Sequence, residues 1–199
     1  IMYDGKRSTA ERIFYNAFAI ENKDILITNP CYPLHEVYAK LHNSNIIKIN
    51  YDKNTWNYLN MINNINKDTC CICFANPNSP VGDIKTIEEI QLILDKALEL
   101  NIPTLIDEAY IEYSDNESCI SLLDKYDNLL ISRTFSKGLG IAGLRCGYII
   151  GNFYTMQIIQ KFIPSYEITS ITSKFCSYLL DNYQIVEEYL TKIKNEKLI

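Results

Sequence analysis

Short, almost wholly apolar runs that alternate with amphipathic stretches constrain the fold of this chain more than any other feature. Asp24 to Thr28, Ile46 to Ile49, Thr69 to Ala75, Pro103 to Ile106, Leu129 to Ser132 and Cys146 to Ile150 read as strands. Helical patterns are predicted over Ser8 to Ile20, Leu34 to Leu41, Trp56 to Ile65, Thr86 to Leu100, Asn152 to Phe162, Ile168 to Asn182 and Ile185 to Lys194. Strands that are apolar on both sides must be covered on both faces, and the alternation supplies the covering helices. The fold class that follows is α/β: a three-layer α/β/α sandwich around a mostly parallel sheet. Thr86 to Leu100 is the clearest helix, with a Thr cap, Glu88 and Glu89 in the first turn, and Ile87, Ile90, Leu92, Ile93 and Ala97 predicted inward. Ser8 or Thr9 is expected to cap the first helix, and Trp56, Leu59, Met61 and Ile62 to point inward from the third.

In such sheets ligands gather beyond the carboxyl ends of the strands. Three polar clusters follow strands here: Asn76–Gly82, Asp107–Tyr110 and Arg133–Lys137. They are far apart in sequence and candidates for one shared site. The stretch from Ser132 to Gly147, SRTFSKGLGIAGLRCG, is the most telling. A lysine between Ser and Gly is, taken alone, usually a solvated loop residue. Lys137 stands instead between two apolar runs, and Gly138, Gly140 and Gly143 allow backbone to approach a ligand. An amine held there can lose solvation and attack a carbonyl. Gly5, Lys6 and Arg7 precede the first helix; they read either as an anion site at a helix N-terminus or as a loop with two solvated cations.

The totals exclude several function classes. Net charge is −5, without a basic stripe, which argues against a nucleic-acid partner. No apolar run approaches a membrane span, and the opening IMYDGKRS has charge but no apolar core of a signal peptide. Because the chain opens on Ile, an upstream start is expected. Seven cysteines, several in apolar runs, read as reduced and mostly buried, which fits a cytoplasmic protein. Cys71 and Cys73 should share a strand face, but no second pair stands near, so no metal is expected. His35 and His42 are expected on helix surfaces.

IDEAYIEY followed by SRTFSKGLGIAGLRCGYIIGN resembles the fold-type I pyridoxal-phosphate aminotransferases of classes I and II. NPCYPLHEVYAK and NPNSPVG bring it nearest to the histidinol-phosphate aminotransferase group, in the same order along the chain. The resemblance implies a cofactor, pyridoxal 5'-phosphate, and roles for matching residues. Lys137 would join the cofactor aldehyde and later carry a proton between substrate Cα and cofactor. Asp107 would face the pyridine nitrogen and keep the ring protonated; read without the motif, it is equally a cap after a strand. Tyr110 would hydrogen-bond the cofactor's phenolic oxygen, and Tyr32 would lie over the ring. Ser136 and Arg145 would hold the phosphate, helped by the turn at Lys6 and Arg7. The group usually carries Asn where this chain has Ser79, and Thr where it has Val81; Ser79, with Asn78 adjacent, would take the place of that Asn.

The resemblance also implies extent and partners. Residues 1–199 correspond to a cofactor-binding large domain, cut at both ends, without the small domain that grips the substrate carboxylate. A homodimer is implied, because the group's sites lie at subunit interfaces. The implied activity is transamination between glutamate and a small phosphorylated oxo-compound such as imidazole-acetol phosphate. Decarboxylation of an O-phospho amino acid on the same scaffold is the alternative, since the carboxylate-binding groups decide which Cα bond breaks. A non-catalytic cofactor-binding fragment is the third reading.

Overall fold

The computed structural model describes residues 7–52, 55–164 and 168–196. Their six strands form one sheet: β1 (Asp24–Asn29), β2 (Asn45–Asn50), β3 (Thr69–Ala75), β4 (Thr104–Asp107), β5 (Leu129–Thr134) and β6 (Gly147–Gly151). The order across the sheet is β2-β1-β3-β4-β5-β6. β1 to β5 are parallel, and β6 runs antiparallel beside β5, with Thr134 opposite Gly147. The helices are α1 (Arg7–Phe18), α2 (Leu34–Leu41), α3 (Tyr58–Asn64), α4 (Ile87–Glu99), α5 (Phe153–Gln160), α6 (Ser170–Asp181) and α7 (Gln184–Glu196).

Side-chain alternation along the strands builds two cores. Leu26, Ile72, Phe74, Ile106 and Ile131 point to one face and pack with Met61 of α3 and Ile90, Ile93 and Leu94 of α4. Ile25, Ile27, Cys71, Cys73, Leu105, Leu130 and Ile149 point to the other, against Phe14 and Tyr15 of α1, Tyr38 of α2 and Met156 of α5. These two clusters are the three-layer sandwich that the apolar runs predicted. Each such side chain taken fully from water contributes ~1.5–3 kcal/mol, so together they outweigh any single polar contact. A third cluster joins Phe135, Leu139 and Cys146 to Cys176 and Leu179 of α6 and Val186 of α7, so two helices back the loop that carries Lys137.

α4 starts as its sequence dictates. Thr86 Oγ1 accepts from the Glu89 N–H at 3.2 Å, and Glu89 Oε2 accepts from the Thr86 N–H at 3.0 Å. This capping box satisfies two donors that the helix cannot, and Ala at the cap costs ~1 kcal/mol. Several expectations are corrected. α1 begins at Arg7, so Ser8 and Thr9 lie inside its first turn and do not cap it. Leu59 and Leu92 face solvent, and Leu94 takes the inward position on α4. His35 is fully buried rather than on a helix surface, because α2 turns it toward α1 and the sheet. His42 is half-buried, its Nε2 3.1 Å from Asn16 Oδ1. All seven cysteines are free thiols, and six are buried.

Candidate active site

Because β1 to β5 are parallel, their carboxyl ends share one edge of the sheet. β1 runs into Asn29–Tyr32, β3 into the Asn76–Gly82 loop, β4 ends on Asp107, and β5 on Thr134. The antiparallel β6 begins at that same edge, so Arg145, two residues ahead of it, is delivered beside Lys137. This is the physical consequence of a reversed last strand.

Tyr32, Tyr110, Ser136, Lys137 and Arg145 line one cavity of about 250 Å3, together with Ser8, Thr134 and Ala142. Five of the sequence-predicted site residues thus meet. Lys137 is half-buried, and its Nζ lies 5.1 Å from the centre of the Tyr110 ring. Arg145 adopts a left-handed backbone (φ 53°), unusual for a residue other than glycine, and Nη1 donates to the Ala142 carbonyl at 2.7 Å. Ser136 N–H donates to Thr134 Oγ1 at 3.1 Å, while Ser136 Oγ is buried with no partner among the described residues. Ser8, in the first turn of α1, was missed by the sequence reading; only the helix start could have flagged it. Lys6 lies outside the described residues, as does the Arg7 side chain.

Asp107 is buried at the end of β4. Its Oδ1 accepts from the Ala109 N–H at 3.0 Å and from Ser132 Oγ at 3.5 Å. The first bond is a local turn contact; the short helix that follows spans Ile111–Tyr113 with Tyr110 at its cap position, so Asp107 is not the helix cap of its plain reading. Carboxylate and imidazole atoms of Asp107, His35 and Glu11 lie within 4.8 Å of one another, all three residues buried. His35 Nδ1 is also 3.3 Å from Tyr15 Oη and 3.4 Å from Cys73 Sγ. Neither Glu11 nor His35 was legible as a site neighbour, because each sits in a helix far from Asp107 in sequence.

Asn78 and Ser79 line a second cavity of about 490 Å3, which shares Tyr110 with the first and adds Tyr113 and Ile193. The Asn78 amide donates to the Pro30 carbonyl at 3.0 Å and to Tyr51 Oη at 2.9 Å. Its nitrogen therefore braces the loop after β3 against the loop after β1. Tyr51 Oη donates to Asp83 at 2.8 Å and accepts from buried Lys85 Nζ at 2.9 Å. Burial pushes the Tyr51 phenol up, with the Asp83 carboxylate adding to it, and burial pulls the Lys85 amine down.

Two further contacts tie the motifs together. Glu108 Oε2 accepts from Arg133 Nε at 3.0 Å and Nη2 at 2.8 Å, and Glu108 Oε1 accepts from the Cys119 N–H at 2.6 Å. Arg133 is thus turned away from the cavity and clamps the turn after β4 to β5. Gly138 lies against Glu112: a Cβ there would overlap Glu112 Cβ and stand 2.9 Å from its Cγ. Close approach to a side chain, rather than to a ligand, explains this glycine.

The model of the aminotransferase class I and II family matches residues 6–197. The chain belongs to the class I and II aminotransferases. Among curated members it is 33% identical over 190 residues to a histidinol-phosphate aminotransferase of Christiangramia forsetii, covering 94% of this chain and 53% of that one. A second, from Pyrococcus furiosus, is 32% identical over 187 residues, covering 94% and 54%. The crystal structure of the histidinol-phosphate aminotransferase from Clostridium acetobutylicum superposes with a TM-score of 0.86 at 27% identity, covering 99% of this chain and 58% of that one. The chain spans about half the length of the curated relatives it matches.

Pyridoxal 5'-phosphate is the cofactor of this family, and the residues present fit it. Ser136 Oγ offers a buried hydroxyl without a partner among the described residues, at a cavity that also holds Arg145 and the first turn of α1. A helix N-terminus, a hydroxyl and a guanidinium are suited to a phosphate. Lys137 and Tyr110 face the same cavity, where an aldehyde and a phenolic oxygen would lie. Among the described residues no helix is long and apolar enough to cross a membrane.

Proposed function

We propose that this chain is the cofactor-binding large domain of a transaminase that moves an amino group between glutamate and a small phosphorylated oxo-compound, as the names of its relatives suggest. The observation that carries the reading is the convergence of Tyr32, Tyr110, Ser136, Lys137 and Arg145 on one cavity. Bound there, pyridoxal 5'-phosphate supplies an electron sink for the bond broken at the substrate Cα. Lys137 supplies an amine that is nucleophile in its neutral form and proton carrier afterwards. Asp107, within the buried end of β4, offers a carboxylate for a protonated ring nitrogen. Ser136 and Arg145 hold the phosphate, with N–H groups of the Ser8 turn, and Tyr32 and Tyr110 confine the ring. Asn78 sets the loop that carries Ser79 toward the larger cavity, the space on the substrate side of Tyr110. A homodimer in the cytoplasm completes the reading; the seven free thiols are in keeping with a reducing compartment.

The test is chemical trapping. Incubation with pyridoxal 5'-phosphate and borohydride should leave one stable adduct, mapped by mass spectrometry to Lys137. Lys137→Ala should leave none; an equal adduct in the variant would sink the assignment. With glutamate, release of 2-oxoglutarate supports transamination, whereas carbon dioxide and an amine from an O-phospho amino acid would favour decarboxylation.

A further inference from the structure

The buried amine that this chemistry does not use is Lys85. Its side chain is 0% exposed, at the last position before the Thr86 cap of α4. A buried lysine is costly unless its donors are met, and here the loop after β3 helps to meet them. Nζ donates to Tyr51 Oη at 2.9 Å and to Asp83 Oδ2 at 3.2 Å, and it lies 4.7 Å from the centre of the Trp56 ring. The backbone of Lys85 closes the same loop. Its N–H donates to Asn76 Oδ1 at 2.8 Å, and the Asn76 amide donates to its carbonyl at 3.4 Å. Within that closure, the Asn78 N–H donates to the Asp83 carbonyl at 3.0 Å and the Gly82 N–H to the Asn78 carbonyl at 2.6 Å.

We infer that Lys85 is a positioning residue that, with Tyr51, locks the loop after β3 to the core and so fixes where Ser79 stands in the larger cavity. The role at the cavity rests on the cofactor reading above; the hold on the loop does not. Tyr51 is the anchored end. Its N–H donates to the Asn29 carbonyl at 3.1 Å. Its ring packs on Trp56, and Trp56 on Phe74 of β3, with 6.0 and 5.6 Å between ring centres. The phenol oxygen is then fully used. It donates to Asp83 Oδ1 at 2.8 Å and accepts from Asn78 Nδ2 at 2.9 Å and from Lys85 Nζ. Because the Pro30 carbonyl can only accept, the Asn78 amide must turn its nitrogen toward both Pro30 and Tyr51.

Both limbs of the loop therefore meet at one oxygen. Asn78 stands on the outgoing limb, Asp83 and Lys85 on the returning one, and Tyr51 Oη binds all three. A buried network with its donors met rigidifies what it joins, and removing one member leaves its partners short. Without Nζ, Tyr51 loses a donor and the Asp83 carboxylate loses its cation. The same loop lines the cavity of about 490 Å3 through residues between Pro77 and Ile84, and that cavity shares Tyr110 with the one that holds Lys137. A loop free to shift would change the space beside Tyr110 with every lining residue intact. Lys85 thus acts on the site through Asn78 and Ser79, without touching it.

Amide hydrogen exchange tests the hold. In Lys85→Met, which keeps an apolar stem, the Asn78 and Gly82 N–H groups should exchange about tenfold faster than in the wild type, while the amides of β3 stay as they were. Tyr51→Phe, which removes only the shared oxygen, should do the same, and it serves if Lys85→Met does not fold. Unchanged loop exchange in a folded variant overturns the inference, and so does a rise spread evenly over the sheet, which would mark a general loss of stability. Cofactor affinity tests the consequence. Ser79→Ala should weaken pyridoxal 5'-phosphate about fivefold in the wild type, and by less than about twofold in the Lys85→Met chain, where the hydroxyl is no longer held in place. Equal factors in the two backgrounds overturn the positioning role. A wild type that takes up no cofactor defeats the proposed function instead, and leaves the exchange rates to decide whether Lys85 fixes the loop.

Discussion

Gly138 rests on the Glu112 side chain with no room for a single added carbon between them. The contact joins the turn after β4 to the residue that follows Lys137, so the two most distinctive motifs of the chain are one packed unit. Gly138→Ala should cost ~1–3 kcal/mol, the range for overfilling a packed contact. Glu112→Ala should not rescue it, because the clash is with Cβ. Denaturant melts of the three variants test this; full stability of Gly138→Ala would show that the loop yields.

Glu112 also makes stability depend on pH. Burial raises its carboxyl from 4.5 to about 7, with the Glu108 charge adding to the rise. A raised carboxyl contributes stability that is complete below the unfolded value near 4.5 and is lost as pH climbs through about 7. Glu112→Gln should remove that slope, worth on the order of 3 kcal/mol for a shift of this size. Melts at pH 5 and pH 8 suffice: the wild type should lose more between them than the variant.

The Glu108–Arg133 pair should behave as a buried ion pair. Glu108 has 0% and Arg133 17% of its side chain exposed. Arg133→Met, which strands the carboxylate, should cost ~3–5 kcal/mol, whereas Arg133→Met with Glu108→Gln should recover part of the loss. A double-mutant cycle measures this, and additive costs would contradict it.

Phosphate affinity should separate fork from charge. Arg145→Lys keeps the charge but not the paired donors, and should weaken pyridoxal 5'-phosphate about tenfold. Ser136→Ala loses one hydroxyl and should weaken it ~3–10-fold. Pyridoxal without phosphate should be indifferent to both, as fluorescence titration would reveal.

Much of this arrangement was legible in the residues. Fully apolar runs such as Thr69–Ala75 could only be strands covered on both sides, and the polar residues after them had to share an edge. What the sequence reading misjudged was phase. On α4 it placed Leu92 inward and passed over Leu94, although Ile90, Ile93, Leu94 and Ala97 stand at the i, i+3, i+4, i+7 spacing of one buried helix face. Charges were harder still. A lone Glu in a helix reads as solvated, and Glu11 becomes a site neighbour only when α1 lies across the end of β4. Arg133 looked like part of the cavity until its partner, 25 residues away, turned it aside. The motif resemblance located Lys137 and Arg145 directly, but not the serine in α1 that faces them.

The reversed last strand has a consequence for how this region can change. β5 leaves the sheet and β6 re-enters alongside it, so the amine and the guanidinium ride on one closed excursion. Substitutions within the strands leave that excursion alone. An extra residue inserted between Lys137 and Arg145 would swing one relative to the other while every ladder bond survived. The loop thus acts as a ruler, and its length is as much a part of the chemistry as the side chains it carries.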